Sequence, residues 1–167
     1  MAQILLSFSI LIFAISLINF VTIRIPKRDE EIKKAITILV PMRNEAENVP
    51  EFISALSAQM GVKQMKFIVI NDGSTDRTAE LLTTVIDGDS RFTVIDSPAQ
   101  RSGWLGKVSA LQAGYEAANS EYIITLDADV RLEPNAIMRA ITQLERLQLD
   151  FISPYPRQIA QTLAEKL

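Results

Sequence analysis

Residues 122–130 read Tyr-Ile-Ile-Thr-Leu-Asp-Ala-Asp-Val, an apolar run that stops on two carboxylates, Asp127 and Asp129, one residue apart. The Ile and Thr content predicts a buried strand, and the acids mark its carboxyl end. Acids at a strand end suit a hard divalent cation, Mg²⁺ or Mn²⁺, which takes oxygen ligands and keeps positions open for water and phosphate. For an isolated Asp-x-Asp the plainer reading is an acidic turn with no ligand. What shifts the balance is that earlier apolar runs end on Asp as well.

Working back toward the amino terminus, Phe92–Ile95 ends on Asp96, and Met65–Ile70 runs into Asn71-Asp72-Gly73-Ser74-Thr75-Asp76. Ala35–Val40 ends at Pro41 and the loop Met42-Arg43-Asn44-Glu45. Helical faces separate these runs. Val49, Phe52, Ile53, Leu56 and Met60 share one, with Asn44 and Glu47 spaced as a capping box and Gly61 as the stop. Ala79, Leu82, Val85 and Ile86 make the second, and Ser74, Thr75 and Asp76 supply chemistry for its amino end. Ala110, Leu111, Gly114, Tyr115 and Ala118 make the third. Downstream, Pro134 opens a fourth that carries Ile137, Ala140, Ile141 and Leu144. Phe151–Ser153 reads as a fifth strand closed by Pro154 and Pro156, and Arg157–Leu167 as the opening of another helix.

This alternation predicts an α/β fold: a Rossmann-like, mostly parallel sheet with flanking helices. Parallel strands bring their carboxyl ends to one edge, so Asp72, Asp96 and Asp127 are expected to share a crevice with the Pro41–Glu45 loop. Like charges gathered there repel one another unless a cation or a donor-rich ligand joins them. A metal and the hydroxyls of a ribose would relieve that repulsion.

Composition narrows the chemistry. The chain has 167 residues, a net charge of −3, and neither Cys nor His. One domain of ordinary size fits that length. Disulfides, thiolate nucleophiles, the usual Zn sites and Ser-His-Asp catalysis are excluded. The charge balance and the lack of a basic cluster interleaved with aromatics give no footing for nucleic acid.

Ile4–Ile23 carries no charge. At 1.5 Å per residue, a helix of about 20 residues crosses a hydrocarbon core of about 30 Å. A cleaved signal peptide fits less well, since no Lys or Arg precedes the run. Arg24, Lys27, Arg28, Lys33 and Lys34 follow, and the positive-inside rule then predicts a single pass with the domain in the cytoplasm, at the cell inner membrane. The expected layout is an anchor over 1–23, a basic linker over 24–34, the α/β domain over 35–153, and the start of a further segment over 154–167.

The longest irregular stretch, Ser97–Lys107, reads as a lid or substrate loop. Gly103-Trp104-Leu105-Gly106-Lys107 lacks the spacing of a phosphate-binding P-loop, and no loop carries Gly-x-Gly-x-x-Gly. Lys107 nonetheless stands at a helix start, within reach of a diphosphate. Asp127-Ala128-Asp129 also fits phosphotransferases with an aspartyl nucleophile, but those carry the pattern on their first strand.

Taken in order, four blocks resemble the family 2 glycosyltransferases of the GT-A fold. They are Val40-Pro41-Met42-Arg43-Asn44-Glu45, then Val69 through Asp76, then Gly106-Lys107 with Ala110-Leu111-Gln112-Ala113-Gly114, then Leu126-Asp127-Ala128-Asp129. The anchor and Gly103–Lys107 further resemble the bacterial branch that acts on polyisoprenoid lipids, such as hopanoid-associated and carotenoid glycosyltransferases. The resemblance implies transfer of a sugar from a nucleotide donor, a UDP-sugar by expectation, to a membrane lipid acceptor with inversion. It implies that Pro41, Arg43 and Glu45 line the nucleobase and ribose pocket and that Asp72 accepts from the imide of the base. Lys107 would approach the diphosphate, Asp127 would hold ribose or metal, and Asp129 would bind Mg²⁺ or Mn²⁺.

The sequence departs from these relatives at one point. The carboxylate base of inverting members, from an acidic pair well after the Asp-x-Asp, has no counterpart before Leu167; Asp150 comes too early. The chain therefore reads as the donor-binding half of a longer enzyme. The alternative is a non-catalytic remnant that binds a ligand or partner.

Overall fold

The computed structural model describes residues 1–23, 25–98 and 103–155. Arg24, Pro156 and the helix expected over 157–167 lie outside them, as do residues 99–102 of the irregular stretch. Helix α1 (Ala2–Thr22) comes first, and no residue of Gln3–Thr22 is buried. Two of its hydroxyls bond back onto the helix: that of Ser9 donates to the Leu5 carbonyl (3.0 Å) and that of Thr22 to the Ile18 carbonyl (2.7 Å). A helix of this length and composition is able to cross a membrane.

The rest alternates strand and helix: β1 (Ile32–Met42), α2 (Val49–Ser57), β2 (Val62–Asn71), α3 (Thr78–Ile86), β3 (Phe92–Asp96), α4 (Gly106–Ala117), β4 (Tyr122–Thr125) and α5 (Ala136–Arg146). The strands form one sheet in the order β3-β2-β1-β4, and every pairing is parallel. β1 and β2 extend beyond the runs expected from sequence, because strand pairing begins as far back as Ile32 opposite Val62.

Period-two alternation divides the central strands between two cores. Ile36, Ile38 and Val40 of β1 and Met65, Phe67 and Val69 of β2 pack with Phe52, Leu56, Leu82, Ile137 and Ile141 from α2, α3 and α5. Leu39, Ile68 and Ile70 face the other way, against Ala110 and Leu111 of α4. A central strand buried on both faces is what a near-continuous apolar run encodes. Gly114 sets how close α4 lies: a Cβ there would stand 2.9 Å from Cδ1 of Ile70 and 3.3 Å from Cδ2 of Leu39.

The strand order explains why, among the described residues, α4 is alone on its face of the sheet. From β1 to β3 the chain steps outward in one direction; it then returns to place β4 on the other side of β1. Right-handed crossovers in opposite directions put their helices on opposite faces. The reversal leaves a switch point between β1 and β4, where open α/β sheets leave a crevice beyond the strand ends.

Three expectations about local structure fail. Phe151–Ser153 is not a strand; Phe151 is exposed, and Pro154 removes a ladder donor. Asn44 does not cap α2, whose amino end is at Asn48 with Pro50 in its first turn. That helix also stops at Ser57, so Gly61 turns the chain into β2 instead, at a φ of +78° and with its carbonyl accepting from the N–H of Ile32 (2.8 Å).

Before β1, the linker is fastened to α5. Arg139 Nε donates to Asp29 Oδ1 (2.6 Å), and the Thr142 hydroxyl donates to the Glu30 carbonyl (3.4 Å). The Arg139 guanidinium holds the Asp29 carboxyl below the usual carboxylate range. On the neighbouring edge, Lys34 donates to the Tyr122 hydroxyl (2.9 Å) and pairs with Glu145 (3.1 Å), and both raise the ammonium pKa above its ordinary value.

Candidate functional site

At the switch point lies a crevice of about 390 Å³, lined by Pro41, Met42, Arg43, Glu45, Asp72, Gly106, Lys107, Asp127, Ala128 and Asp129. All seven residues singled out from sequence (Pro41, Arg43, Glu45, Asp72, Lys107, Asp127 and Asp129) are on that wall. Asp96 is not. β3 is the far edge of the sheet, two strands from the switch point, and the Asp96 carboxylate instead accepts from Nδ2 of Asn71 (2.8 Å). Two acidic strand tips converge there instead of three.

The wall formed by the β1 and β2 loops is stitched together. The backbone N–H of Asn44 donates to the Ser74 hydroxyl (3.1 Å), that of Glu45 to the Thr78 hydroxyl (2.9 Å), and that of Ala46 to Asp76 Oδ2 (3.2 Å). In return, the Asn44 side-chain carbonyl accepts from the N–H of Thr75 (2.8 Å), with Asn44 itself at a φ of +56°. Asn tolerates that left-handed conformation better than most residues. The N–H of Asp72 donates to the Met42 carbonyl (2.8 Å), joining the two strand tips. Asp76 also accepts from the hydroxyl and N–H of Thr78, bonds that hold its carboxyl below the ordinary range. Asn44, Ser74, Asp76 and Thr78 thus shape the site without lining it.

The opposite wall is made by the start of α4 and the turn after β4. Gly106 opens α4 against Asp72: a Cβ on Gly106 would be 3.2 Å from Asp72 Oδ2. The absence of a side chain there lets the carboxylate approach the positive end of the helix. Lys107 Nζ lies 2.6 Å from Asp127 Oδ1, with the two side chains 59% and 57% exposed. An ion pair so exposed is worth only about 0–1 kcal/mol, so a better ligand can displace it. In the turn, Ala128 is buried, so the acids on either side of it are presented from a fixed backbone.

The donor set tests the metal expectation. Among the described residues, no group of three Asp, Glu, His or Cys side chains could hold an ion unaided. Asp127 and Asp129 supply hard oxygens, and the remaining positions would fall to water and phosphate. That is how Mg²⁺ is ordinarily bound, through one or two carboxylates plus substrate phosphates. The residues fit such an ion.

The sequence profile of the family described as Glycosyl transferase family 2 matches residues 37–164. The chain belongs to that family. As a family 2 member it is 35% identical over 118 residues to the undecaprenyl-phosphate 4-deoxy-4-formamido-L-arabinose transferase of Yersinia enterocolitica, covering 70% of this chain and 35% of that protein. It is 31% identical over 117 residues to the 4,4'-diaponeurosporenoate glycosyltransferase of Staphylococcus haemolyticus, covering 70% of this chain and 30% of that one. The chain spans about a third of the length of the curated relatives it matches.

Among solved structures, the mannosyltransferase PcManGT of Pyrobaculum calidifontis, in complex with GDP-Man and Mn²⁺, superposes with a TM-score of 0.65 at 19% identity, over 80% of this chain and 39% of that one. TarS 1-349 of S. aureus with UDP-GlcNAc gives 0.56 at 20% identity, over 67% and 31%. The fold is therefore the expected GT-A fold. Family membership removes the aspartyl phosphotransferase alternative, whose motif belongs on a first strand; here it follows the fourth.

Proposed function

We propose that this chain is the donor-binding part of a glycosyltransferase that takes a sugar from a nucleoside diphosphate, a UDP-sugar, and passes it with inversion to a lipid acceptor in a membrane. The observation that carries this reading is the meeting, in one crevice at the switch point, of Asp72, Lys107, Asp127 and Asp129. The base and ribose would lie along the stitched wall, between Arg43, Glu45 and Asp72, with Asp72 accepting from the imide N–H of uracil. The diphosphate would lie toward the start of α4, where Lys107 exchanges Asp127 for phosphate oxygen. Asp127 and Asp129 would hold Mg²⁺ or Mn²⁺, which as a Lewis acid stabilises the departing diphosphate. Exchange of this kind costs little, because the Lys107–Asp127 pair is exposed.

Several comparisons support this proposal. The relatives named for undecaprenyl phosphate and diaponeurosporenoate motivate the lipid acceptor, and the neighbour holding GDP-Man with Mn²⁺ motivates the metal. Helix α1 motivates a membrane anchor, with the basic residues Lys27, Arg28 and Lys33 keeping the domain on the cytoplasmic side of the inner membrane. Activity belongs to the whole protein, since the relatives are about three times as long as the matched part.

The test is calorimetry on the full chain in detergent, titrating UDP and then GDP with and without Mn²⁺. Mn²⁺-dependent UDP binding, lost by about 100-fold or more in Asp129→Ala, is expected; even residues behind a metal ligand typically cost 10–100-fold. Preference for GDP would overturn the assigned base. No binding of either diphosphate would overturn donor binding itself, and undiminished affinity in Asp129→Ala would overturn the metal ligands.

A further inference from the structure

Neither sequence motif nor crevice lining draws attention to Arg131, yet it joins the two walls. Its side chain is 27% exposed, and its Nε lies 2.9 Å from Glu51 Oε2. Nη1 donates to the carbonyls of Ala128 (3.3 Å) and Val130 (3.4 Å), the two residues flanking Asp129. Nη2 donates to Oδ1 of Asn48 (2.8 Å), and Nδ2 of Asn48 donates to Oε2 of Glu45 (2.7 Å). Glu45 lines the crevice on the stitched wall.

The chemistry of this chain of bonds fixes its direction. A guanidinium has donors alone and a carboxylate has acceptors alone, so an amide between them must turn its oxygen to the first and its nitrogen to the second. The opposite flip would place donor against donor and acceptor against acceptor. Asn48 therefore works as a two-ended connector whose orientation depends on both neighbours. The planar fork of Arg131 suits its end: it reaches two carbonyls of the turn and the amide at once, which a single ammonium does not do.

We propose that Arg131 and Asn48 are positioning residues that couple the nucleoside wall to the Asp127–Val130 turn, so that nucleotide held near Glu45 and metal held by Asp127 and Asp129 strengthen each other's binding. This rests on the donor-binding reading above and adds cooperativity between its two halves. Coupling of this kind is reciprocal: whatever factor Mn²⁺ adds to nucleotide affinity, nucleotide adds to Mn²⁺ affinity.

The experiment measures, on the full chain in detergent, the factor by which Mn²⁺ raises affinity for UDP. Arg131→Met and Arg131→Lys are both expected to reduce that factor about tenfold or more, as groups behind a metal site do. Asn48→Ala is expected to reduce it as well while leaving Mn²⁺ affinity without nucleotide unchanged, a split that a merely structural role would not produce. An unchanged factor in Asn48→Ala, or full retention in Arg131→Lys, overturns the proposal. Asn48→Ala also decides the matter if Arg131→Met does not fold. If the wild-type chain binds UDP with no Mn²⁺ effect, the cooperativity fails while donor binding stands; if it binds neither UDP nor GDP, the donor-binding reading itself fails. Thermal unfolding of Arg131→Met, Asn48→Ala and the double variant then tests the physical link separately. A double variant no less stable than the worse single variant supports a connected relay, and strict additivity removes it.

Discussion

Along the wall that joins β1 to β2, the N–H groups of Asn44, Glu45 and Ala46 each donate to a side-chain oxygen some 30 residues away in sequence. Across the crevice, the Asp127 carboxylate meets the ammonium of a lysine that is more than half exposed. The first wall is completed by the protein's own bonds before any ligand arrives; the second is closed by a contact that a ligand can replace. On the proposed function, a site built this way would recognise a nucleoside on a rigid surface and leave rearrangement to the charged end, where metal and phosphate would enter together. Preorganisation on one side lowers the cost of ordering, and exchange on the other keeps the carboxylates from facing each other unscreened.

The contrast between the walls can be broken from either side. The largest effect should come from displacing α4, which carries the second wall. In Gly114→Leu the new side chain must enter space already taken by Ile70 and Leu39. Overpacking of that kind should cost about 3 kcal/mol in thermal unfolding and shift Lys107 away from Asp127. Next comes the stitched wall: Asn44→Ala removes the acceptor for Thr75 and leaves Ala at a φ of +56°. A loss of about 2 kcal/mol is expected, with weaker UDP binding measured by calorimetry.

Lys107→Met should change thermal stability by less than about 0.5 kcal/mol, because it removes an exposed pair. Its ligand effects should have opposite signs: Mn²⁺ affinity without nucleotide rises as Asp127 is released, while UDP affinity falls. Equal loss of both would mean that the second wall is as rigid as the first. The smallest effect concerns Asp76, whose carboxyl is held below its ordinary range chiefly by the Thr78 hydroxyl. A depressed folded pKa stabilises the protein above the unfolded value of about 3.9, and the contribution disappears as pH falls through the lower folded value. The difference in melting temperature between wild type and Asp76→Asn should therefore be present at pH 5–7 and close below about pH 3.9.

Much of this site was legible in the sequence because it depends on local patterns. Apolar runs ending on Asp72 and Asp127, and a glycine-lysine pair at a helix start, place their side chains once the sheet is parallel. Asp96 shows the limit. Its run ends on an acid just as the others do, but strand order depends on which edges pair, and β3 pairs at the far side. Asn44 shows another. Its spacing to Glu47 satisfies a capping pattern, yet partners from Ser74 to Thr78 compete for the same groups and win. Arg131 carries no local signal of its link to the other wall, since the partners that make it, Asn48 and Glu51, lie at the start of α2 some 80 residues earlier. The close seat of α4 was half visible: a glycine within a helical face suggests close packing, but not against which strands.

The fastening of the linker to α5 also sets a tether length. With α1 in a bilayer, the domain is firmly held from Ile32, which is buried and paired with Val62. Residues 23–31 then allow a leash of at most about 30 Å; while Arg139 grips Asp29, residues 23–28 allow about 20 Å. On the proposed function, the shorter leash would confine the domain to a thin layer over the lipid, where an acceptor would be met by searching a surface instead of a volume. Because the grip is ionic and partly exposed, rising salt would lengthen the leash and loosen that confinement.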